Sequence, residues 1–477
     1  MTDPPDPISP FVTSTTSRVF ALRGLPEEVV AVLFAYYSRS TDGLRENLRK
    51  AIADGDIDAP THDVDAPVTT PKTAAFHEKW TVAYGHGSVG EHAVVHLGVE
   101  PCSVLAAKAI EDCRLGTAFT EQSTRYVPYN RTTYLAPEVV GVPAVFAADY
   151  RRACEGLLMA YGDVCDELSA VASTTWPDAT VSARRGWVLD RARSLLPTSI
   201  PTRVGVSLNA HSAAHLIRKL HASEHPELRA IGDDAAHHAG MILPSLVRHV
   251  AAEPGRVGMR ASLGPVVRPR VIDNHVGVRI EGSYDRDELR AAMIRDAAGD
   301  AGAVSDLAYT SVVQAYLGSR GAHERPGRAL EAVTLRMRLR IDYGAWRDVQ
   351  RHRTMSAAPV RLNPRSGFYM PGMPLLSSAL QGRVGAAVAD AQRVGCAIED
   401  SGSASAEYVQ PLGTMIEAVV GVNVRAMAQF IELRSGREGH DRYREVAHKL
   451  HDYLTKTDPV LAAHIRCDRR ERTLART

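Results

Sequence analysis

Two separated sets of polar residues have the types and spacing that bind phosphate groups and planar rings. The first set is the segment His86 to His92, HGSVGEH, followed by Glu121 to Tyr126, EQSTRY. The second set is Arg351-His352-Arg353, followed by Asn423-Val424-Arg425 and by Arg434. A guanidinium offers parallel donors to an anion, and hydroxyl and amide groups add orientation. Because neither set is complete alone, the sequence predicts one site that draws on both halves of the chain.

The EQSTRY segment predicts a clamp for a phosphate or a carbonyl group. Glu121, Ser123 and Arg125 occupy alternating positions, so an extended chain would point them to the same side. A hydroxyl beside a guanidinium suits such an oxygen-rich group. The alternative for these three residues, taken alone, is a solvated surface loop.

The histidine segment allows three interpretations. Its glycine-containing turn lets main-chain amides approach a ligand, which favours ligand binding by His86, Ser88 and Glu91. His86, Glu91 and His92 are also possible metal ligands, although no further ligand follows at the usual spacing. The third interpretation is a capping or core role without any ligand.

Arg351, His352 and Arg353 stand where a helix is predicted to end. Cations there are stabilised by the helix dipole, by about 0.3–1 kcal/mol each, which explains the triplet without a ligand. The same density of donors suits a pyrophosphate or an electron-rich ring, and Asn423 and Arg425 add further donors. Both interpretations remain open at this point.

The composition is that of an ordinary soluble globular protein. The 477 residues are 45% hydrophobic and 23% charged, and the net charge of +1 gives no attraction to nucleic acid or to a membrane surface. No apolar run approaches the roughly 18 residues of a membrane span, and the N-terminus lacks the features of a signal peptide. Six cysteines without CxxC spacing indicate reduced thiols in a cytoplasmic protein.

The elements that must position these residues can be predicted from periodicity and capping. In the first half we predict helices at 73–83, 147–172, 183–196 and 207–220, a strand at 93–100, a helix capped by Ser103 and a polar loop at 114–131. In the second half we predict a strand at 334–341, a helix at 343–353 capped by Asp342, a loop at 359–371 and helices at 377–399 and 419–433.

The order of elements repeats along the chain. Leu208-Asn209-Ala210-His211 is similar to Val422-Asn423-Val424-Arg425, at an offset of 423 − 209 = 214 residues. The predicted strand ends, Val99 and Ile341, are offset by 242 residues. We therefore predict a duplication with divergence. The predicted boundaries are a disordered tail at 1–17, a first domain at 18–252, a connector at 253–276 and a second domain at 277–477.

These motifs resemble those of the flavin-dependent thymidylate synthase family, whose members carry H-x-S/T-x-x-E-H, RHR, S-x-R-Y and N-x-R segments. The first half keeps the histidine segment and Ser123-Thr124-Arg125-Tyr126, but has Asp112-Cys113-Arg114 in place of RHR. The second half keeps RHR, Asn423-Val424-Arg425 and Arg434, but lacks the histidine segment. The resemblance implies an α+β fold with two tandem copies of the family fold, each an antiparallel sheet flanked by helices.

The resemblance also implies a function. It is the C5-methylation of a uracil nucleotide, dUMP or UMP, with methylenetetrahydrofolate as carbon donor, reduced FAD as hydride source and NADPH as reductant. Catalysis is then assigned to Arg434 and Ser123, and nucleotide binding to Glu121, Ser123, Arg125, Arg193 and Arg434. Binding of flavin or folate is assigned to His86, Ser88, Glu91, Arg351, His352, Arg353, Asn423, Arg425 and His440. No metal is expected.

The losses in the two halves are complementary, which implies that they divide one site between them. A homodimer of such chains would imitate the tetramer of the family. Two other functions stay open: a catalytically inactive flavin- or nucleotide-binding scaffold or regulatory paralogue, and a helical interaction protein. The degenerate motifs favour the scaffold, whereas complementary retention favours the enzyme.

Overall fold

A computed structural model describes the chain over residues 6–37, 42–54, 87–114, 116–124, 127–248, 250–263, 270–299, 307–358, 360–437, 439–471 and 474. The predicted helix at 73–83, His86 and Arg125 lie outside the described residues. The chain divides into two units. Unit 1 comprises Met1–Cys102, Ala109–Gln122 and Thr202–Val266, and unit 2 comprises Ser103–Lys108, Ser123–Pro201 and Val267–Thr477. Unit 2 thus draws on both halves of the sequence, and the units do not follow the boundary predicted at 253–276.

The described elements up to residue 263 include the three strands of the first sheet. In chain order they are α1 (Glu27–Tyr37), α2 (Leu44–Ala53), β1 (Val94–Ser103), α3 (Val104–Glu111), β2 (Thr117–Glu121), α4 (Pro137–Val140), α5 (Ala147–Thr175), α6 (Val181–Ala192), β3 (Pro201–Asn209), α7 (Ala210–His221), α8 (Pro226–Ile242) and α9 (Pro254–Leu263). Helix α9 lies within the stretch that the sequence predicted to be a connector.

The later elements build the second sheet and the helices around it. They are β4 (Gly277–Glu281), α10 (Arg286–Ala298), α11 (Tyr309–Leu317), β5 (Thr334–Asp342), α12 (Tyr343–Gln350), β6 (Ser356–Ala357), α13 (Ser378–Asp400), β7 (Met415–Asn423), α14 (Val424–Arg434), α15 (Asp441–Thr457) and α16 (Pro459–Ala462). Short 3-10 turns occur at Gly87–His92, Arg193–Leu195 and Arg328–Glu331. No helix among the described residues is long and apolar enough to cross a membrane.

Within residues 6–17, predicted as part of a disordered tail, three apolar residues belong to a hydrophobic core in unit 1. Ile8, Phe11 and Val12 are buried and pack with apolar residues of α1 and α2. Arg49 of α2 holds Asp6 at 2.7 Å. Three apolar side chains in this Pro- and Ser-rich stretch thus pack against two helices.

The first sheet has the strand order β1-β3-β2. Strands β2 and β3 are antiparallel, from Thr117 opposite Leu208 to Glu121 opposite Val204. Strand β2 lies in the stretch predicted as a polar loop, because three of its five residues are polar, although Thr117 and Glu121 are buried. Strand β1 also runs three residues beyond its predicted end, to Ser103, whose Oγ accepts from Ala106 N and caps α3 as predicted.

Two helices begin later than the sequence predicted. Residues before Asn209 and Asn423 belong to β3 and β7 rather than to helices starting at 207 and 419. Each asparagine accepts a hydrogen bond at 2.8 Å from the amide three residues on, Ser212 N and Ala426 N, and so forms the N-cap. Strand β3 extends as far as Asn209 because its alternate residues Val204, Val206 and Leu208 are buried.

Unit 2 contains a four-stranded antiparallel sheet in the order β4-β5-β7-β6. The predicted alternation along β5 is confirmed, since Leu335, Met337, Leu339 and Ile341 are at most 2% exposed. Their arginine neighbours point to the other face. Arg336 and Arg338 donate to Glu281, and Arg340 donates to Glu417.

Hydrogen bonds inside unit 2 repeat the 214-residue offset. Thr198 N donates to Gln410 O, and Leu412 N donates to Leu196 O, both at 2.9 Å. The donors differ by 412 − 198 = 214 positions and the acceptors by 410 − 196 = 214. A second offset relates Val104, which donates to Ile200 O, to Tyr343, which donates to Thr414 O. That offset is 343 − 104 = 239, so the strand ends correspond at 239 residues rather than the predicted 242.

Asp342 is the N-cap of α12, the helix that precedes the RHR triplet. Its Oδ1 accepts from Ala345 N at 2.9 Å, which confirms the predicted cap. The helix, α12, ends at Gln350 instead of Arg353. Arg351, His352 and Arg353 therefore lie in the turn that follows α12.

Candidate functional site

Asp348 joins arginines that come from the two halves of the sequence. It lies on α12 of unit 2. Arg193, in the 3-10 turn after α6, places Nη2 at 3.3 Å from Asp348 Oδ2. Arg434, the last residue of α14, donates from Nη2 to the main-chain oxygen of Asp348 at 3.0 Å. Arg193 and Arg434 are therefore held by the same residue, although 241 positions separate them in the sequence, 434 − 193 = 241.

His352 fixes the orientation of Arg434. Arg434 Nε donates to His352 Nε2 at 2.9 Å, so the ring proton is on Nδ1. The imidazole also meets the ring of Phe430 edge-on, with 4.8 Å between the centroids. Burial, and next the positive charge of Arg434, lower the pKa of His352 to about 3. The imidazole is thus neutral at physiological pH and acts as a hydrogen-bond acceptor for the guanidinium.

Arg193 lies among carboxylates of different accessibility. Asp190 Oδ1 is 3.8 Å from Arg193 Nε, and the side chains are 1% and 7% exposed. Asp342 is also buried, and its burial raises the pKa of the carboxyl to about 6 against the opposing effect of nearby Arg193 and Arg442. Arg442 Nε lies 3.7 Å from Asp342 Oδ2, and its guanidinium stacks on Tyr369. In this cluster, buried carboxyl groups therefore lie beside the arginine guanidiniums.

His440 supports this cluster from the start of α15. It is 2% exposed, and its Nδ1 accepts from Arg442 N at 3.2 Å, so it caps the helix. The ring of Tyr443, one turn into α15, lies under the Arg434 guanidinium at 5.1 Å. The sequence assigned His440 to a cofactor, and the structure shows it capping α15 and contacting the ring of Tyr443, with 5.9 Å between the centroids.

Asn423 and Arg425, also assigned to a cofactor, have partners within the protein. Asn423 caps α14 through Ala426 N. Arg425 Nη1 donates to Glu331 Oε1 at 2.6 Å, and Arg425 Nε donates to Pro326 O at 2.8 Å. The hydrogen bond from Arg425 lowers the pKa of Glu331 below its ordinary value. A ligand anion at Arg425 would compete with this ion pair.

The other residues of the RHR triplet remain accessible. Arg351 and Arg353 are both exposed in the turn after α12, on either side of His352. Two guanidiniums at one helix end provide the donor set that suits the phosphates of a dinucleotide. Ser123 belongs to unit 2 as well and is half-buried.

Two described first-half residues that the sequence assigned to a cofactor, Ser88 and Glu91, belong to unit 1. Ser88 and Glu91 lie in the 3-10 turn Gly87–His92, and Glu91 is exposed. His92 in the same turn stacks on Phe34 of α1, with 4.6 Å between ring centroids. Glu121, at the end of β2, is 7% exposed. Among the described residues no group of His, Cys, Asp or Glu side chains could hold a metal ion.

The sequence named Arg193, His352 and Arg434, and the structure brings these three together. It also adds residues that the sequence did not single out for the site, namely Asp348 and Tyr443. Asp348 is one helical turn before the RHR triplet, and this spacing was an available signal for a shared face. No signal in the sequence indicated Tyr443, because its position under Arg434 depends on how α15 packs.

Comparison with known proteins gives relatives over almost the whole chain. A UPF0159 protein of Chlamydia pneumoniae is 29% identical over 95% of this chain and 92% of its own length. A UPF0159 protein of Thermoplasma acidophilum is 26% identical over 82% of this chain and 88% of its own. A flavin-dependent thymidylate synthase of Mycobacterium sp. (strain JLS) is 29% identical, but over 33% of this chain and 63% of its own length.

A solved structure of a UMP/dUMP methylase, PolB from Streptomyces cacaoi, covers 41% of this chain and 96% of its own at 20% identity. Its TM-score of 0.34 is too low to support an inference about this chain. The family described as "Thymidylate synthase complementing protein" matches residues 26–245 and 286–460. These two stretches make up more than half of the chain. The chain therefore belongs to the thymidylate synthase complementing protein family, that of the flavin-dependent thymidylate synthases.

Proposed function

We propose that this protein catalyses the flavin-dependent C5-methylation of a uracil nucleotide, dUMP or UMP. Methylenetetrahydrofolate would donate the carbon, reduced FAD the hydride, and NADPH the electrons that reduce the flavin. The observation that carries the proposal is the meeting of Arg193 from the first half with His352 and Arg434 from the second half at Asp348. We propose further that the fold is two tandem copies of the family fold that share this site.

Arg434 is the residue that we assign to the pyrimidine. Methylation at C5 requires that carbon to become nucleophilic, and negative charge then develops on the ring carbonyl oxygens. A guanidinium held in advance by His352 and by the Asp348 main chain stabilises that charge without having to reorient. Because His352 is neutral, it orients Arg434 without repelling it.

The nucleotide phosphate is assigned to the serine and arginine of the S-x-R-Y segment. Ser123 is half-buried in unit 2, and Arg125 lies outside the described residues. A hydroxyl and a guanidinium together bind a phosphate monoester through charge-assisted hydrogen bonds. Glu121 would complete the nucleotide set, and Arg193 would contact the nucleotide near its ring.

The residues of the second half fit a flavin in part. Arg351 and Arg353 are exposed and offer guanidinium donors for its phosphates. Asn423 and His440 already serve as helix caps, so a role for them in binding would be indirect, through the position of α14 and α15. From the first half, His86, Ser88 and Glu91 would contribute. When bound, reduced FAD supplies the hydride that converts the one-carbon unit to a methyl group.

We also propose that the protein is a homodimer. Complementary losses in the two halves leave each chain with one full set of family residues, and two chains would reproduce the four-copy arrangement of the family. Mixing a Ser123→Ala variant with an Arg353→Ala variant tests whether a site uses two chains. Activity restored after subunit exchange supports such a site, and unchanged inactivity places each site within one chain.

The decisive assay measures tritium released from dUMP or UMP labelled at C5, in the presence of methylenetetrahydrofolate, FAD and NADPH. We expect release with at least one nucleotide, and a decrease of at least about a hundredfold in Arg434→Lys, because lysine keeps the charge but loses the fixed fork of donors. The matched control is Arg383→Lys, since Arg383 pairs with Asp163 on the surface at 3.2 Å. No release from either nucleotide would contradict the proposed reaction.

The second candidate is a flavin- or nucleotide-binding scaffold without catalysis. The ion pair between Arg425 and Glu331 favours it, because a cation assigned to the cofactor is neutralised inside the protein. Purified scaffold would bind flavin or nucleotide and would release no tritium. Tritium release separates the two candidates, and Glu331→Gln tests Arg425 under either: stronger flavin binding in this variant supports a role of Arg425 in the site.

A further inference from the structure

We propose that residues 466–470, the 466–470 segment, hold the last turn of α14 and thereby position Arg434. The inference rests on the proposed function for the role of Arg434, and it adds positioning residues to that role. The segment follows α16 and lies outside the two stretches that match the family, 26–245 and 286–460, so the family motifs do not include it.

The last turn of a helix depends on contacts from outside the helix. The last four carbonyl groups of a helix accept no hydrogen bond from within it, and helix ends fray most easily. Arg434 is the last residue of α14, and Ser435 is the C-cap, whose amide donates to Ile431 O at 3.0 Å. The position of the Arg434 main chain therefore depends on what holds this turn.

One contact with the turn is at Ser435, directly after Arg434. Asp468 N donates to Ser435 Oγ at 2.9 Å, and Ser435 is 1% exposed. Arg444 of α15 donates from Nε to Ser435 O at 2.9 Å and from Nη2 to Arg470 O at 2.9 Å. Arg444 thus joins the C-cap carbonyl group of α14 to the 466–470 segment, and the segment itself bonds the C-cap hydroxyl.

The second contact is at Glu432, on the other side of Arg434. Arg466 Nη2 donates to Glu432 Oε2 at 3.1 Å, and Arg466 N donates to Glu432 Oε1 at 3.2 Å. Arg320 Nη1 donates to the same carboxylate at 2.9 Å. Burial opposes ionisation of Glu432, but the hydrogen bonds from Arg320 and Arg466 outweigh it and lower the pKa of the carboxyl below its ordinary value. The carboxylate is therefore ionised at physiological pH and held by two guanidiniums.

The two contacts hold the main chain on both sides of Arg434, while its side chain is held elsewhere. The guanidinium donates to His352 Nε2 and to the main-chain oxygen of Asp348. If the turn opened, the base of the arginine side chain would move relative to both acceptors. A displacement of about 1 Å at a catalytic group can reduce the rate by about a hundredfold. The 466–470 segment thus acts through Arg434 and has no need to touch the substrate.

The test uses one substitution on each side of Arg434. Arg466→Ala removes the side-chain donors to Glu432, and Ser435→Ala removes the acceptor of Asp468 N. We expect the protection factor of the amide at position 435, measured by hydrogen exchange and mass spectrometry, to fall by about three- to tenfold in each variant. Arg466→Lys keeps a cation beside Glu432 and should recover part of the protection.

The control substitution lies in the same segment. Arg469 pairs with Asp452 of α15, and its side chain is 47% exposed against 44% for Arg466. Arg469→Ala should therefore leave the protection factor at position 435 unchanged. A role of Arg466 in general stability would instead lower protection evenly along α14 and α15, which would overturn the inference.

Tritium release measures the effect on turnover in the same proteins. We expect kcat to fall by at least about fivefold in Arg466→Ala and in Ser435→Ala, with the KM for the nucleotide changed by less than about threefold, because Arg434 stabilises charge that develops in the transition state. Arg466→Lys should recover part of kcat, and Arg469→Ala should keep all of it.

The outcomes separate this inference from the function on which it rests. An unchanged protection factor at position 435 in both variants overturns the inference, whatever the activity. Faster exchange with unchanged kcat also overturns it, because the segment then holds the turn without positioning Arg434. If Ser435→Ala does not fold, the two Arg466 variants decide. Absence of tritium release by the unmodified protein overturns the reaction, and a lower protection factor at position 435 would still support the contact of the segment with the turn of Arg434.

Discussion

Replacement of His352 by glutamine is expected to remove an acid sensitivity that this histidine gives to the folded protein. Burial and the neighbouring Arg434 lower the pKa of His352 to about 3 from an ordinary value of 6.5. Unfolding restores the ordinary pKa, so below pH 6.5 the unfolded chain takes up a proton that the folded chain does not. The free energy of unfolding therefore decreases as the pH falls from 6.5 to about 3, by about 1.4 kcal/mol per pH unit.

The size of the effect follows from this window. At pH 4.5, two units below the ordinary pKa, His352 should lower the free energy of unfolding by about 2.7 kcal/mol. The glutamine variant lacks this contribution and still offers an oxygen to Arg434 Nε. Asp342 titrates in the same range with the opposite sign, because its pKa in the folded protein is raised to about 6, but it is present in both proteins and cancels in the comparison.

Urea unfolding followed by circular dichroism between pH 7.5 and 4.5 measures the difference between the two proteins. The variant should gain about 2.7 kcal/mol relative to the unmodified protein over this range, whatever their difference at pH 7.5. His323→Gln is the control, since His323 is exposed and should leave the pH dependence unchanged. A difference that stays constant across the range would refute the reasoning that His352 is a buried neutral acceptor for Arg434.

Two further substitutions test the caps and a buried carboxylate by urea unfolding. Asn423→Ala should lower the free energy of unfolding by about 1 kcal/mol, because Ala426 N loses its acceptor, while Asn423→Ser should lose less; unchanged stability would contradict the capping role. Asp458→Asn should cost about 1–3 kcal/mol, because Asp458 Oδ2 accepts from the hydroxyls of Tyr284 and Tyr309 and an amide nitrogen cannot. The control is Asp287→Asn, whose side chain is 84% exposed, and an equal loss there would refute the assignment.

The elements that the sequence predicted well depend on local patterns. Strand β5 shows a strict alternation of apolar and charged residues, and Asp342 is a side-chain cap that acts within three residues. The starts of α7 and α14 were wrong because short runs such as Val419, Val420 and Val422 satisfy the period of a helix and that of a strand equally. In both places the N-cap asparagine marks the boundary, and its preference for that position was available in the sequence.

Less of the candidate site than of the fold could be predicted from the sequence, because the residues that contact one another in the site are far apart along the chain. Arg193 and Asp348 are 155 positions apart, and no local pattern connects them. The resemblance to a family drew attention to Arg193, His352 and Arg434 through their motifs. The acid that links them lies outside those motifs, so its importance depends on the packing of α12 against the turn that carries Arg193. Residues that the sequence assigned to a cofactor, such as Arg425, have protein partners that the motif could not reveal.

The two offsets identify the positions in the chain that are equivalent to those of this cluster. At 214 residues, Glu407 corresponds to Arg193, and Leu220 corresponds to Arg434. At 239 residues, Ala109 corresponds to Asp348 and Cys113 to His352. The equivalent positions thus hold an acid and apolar or weakly polar residues, which offer no guanidinium to an anion. In the tandem duplication that we propose, divergence would have concentrated the cationic set in one of two equivalent places.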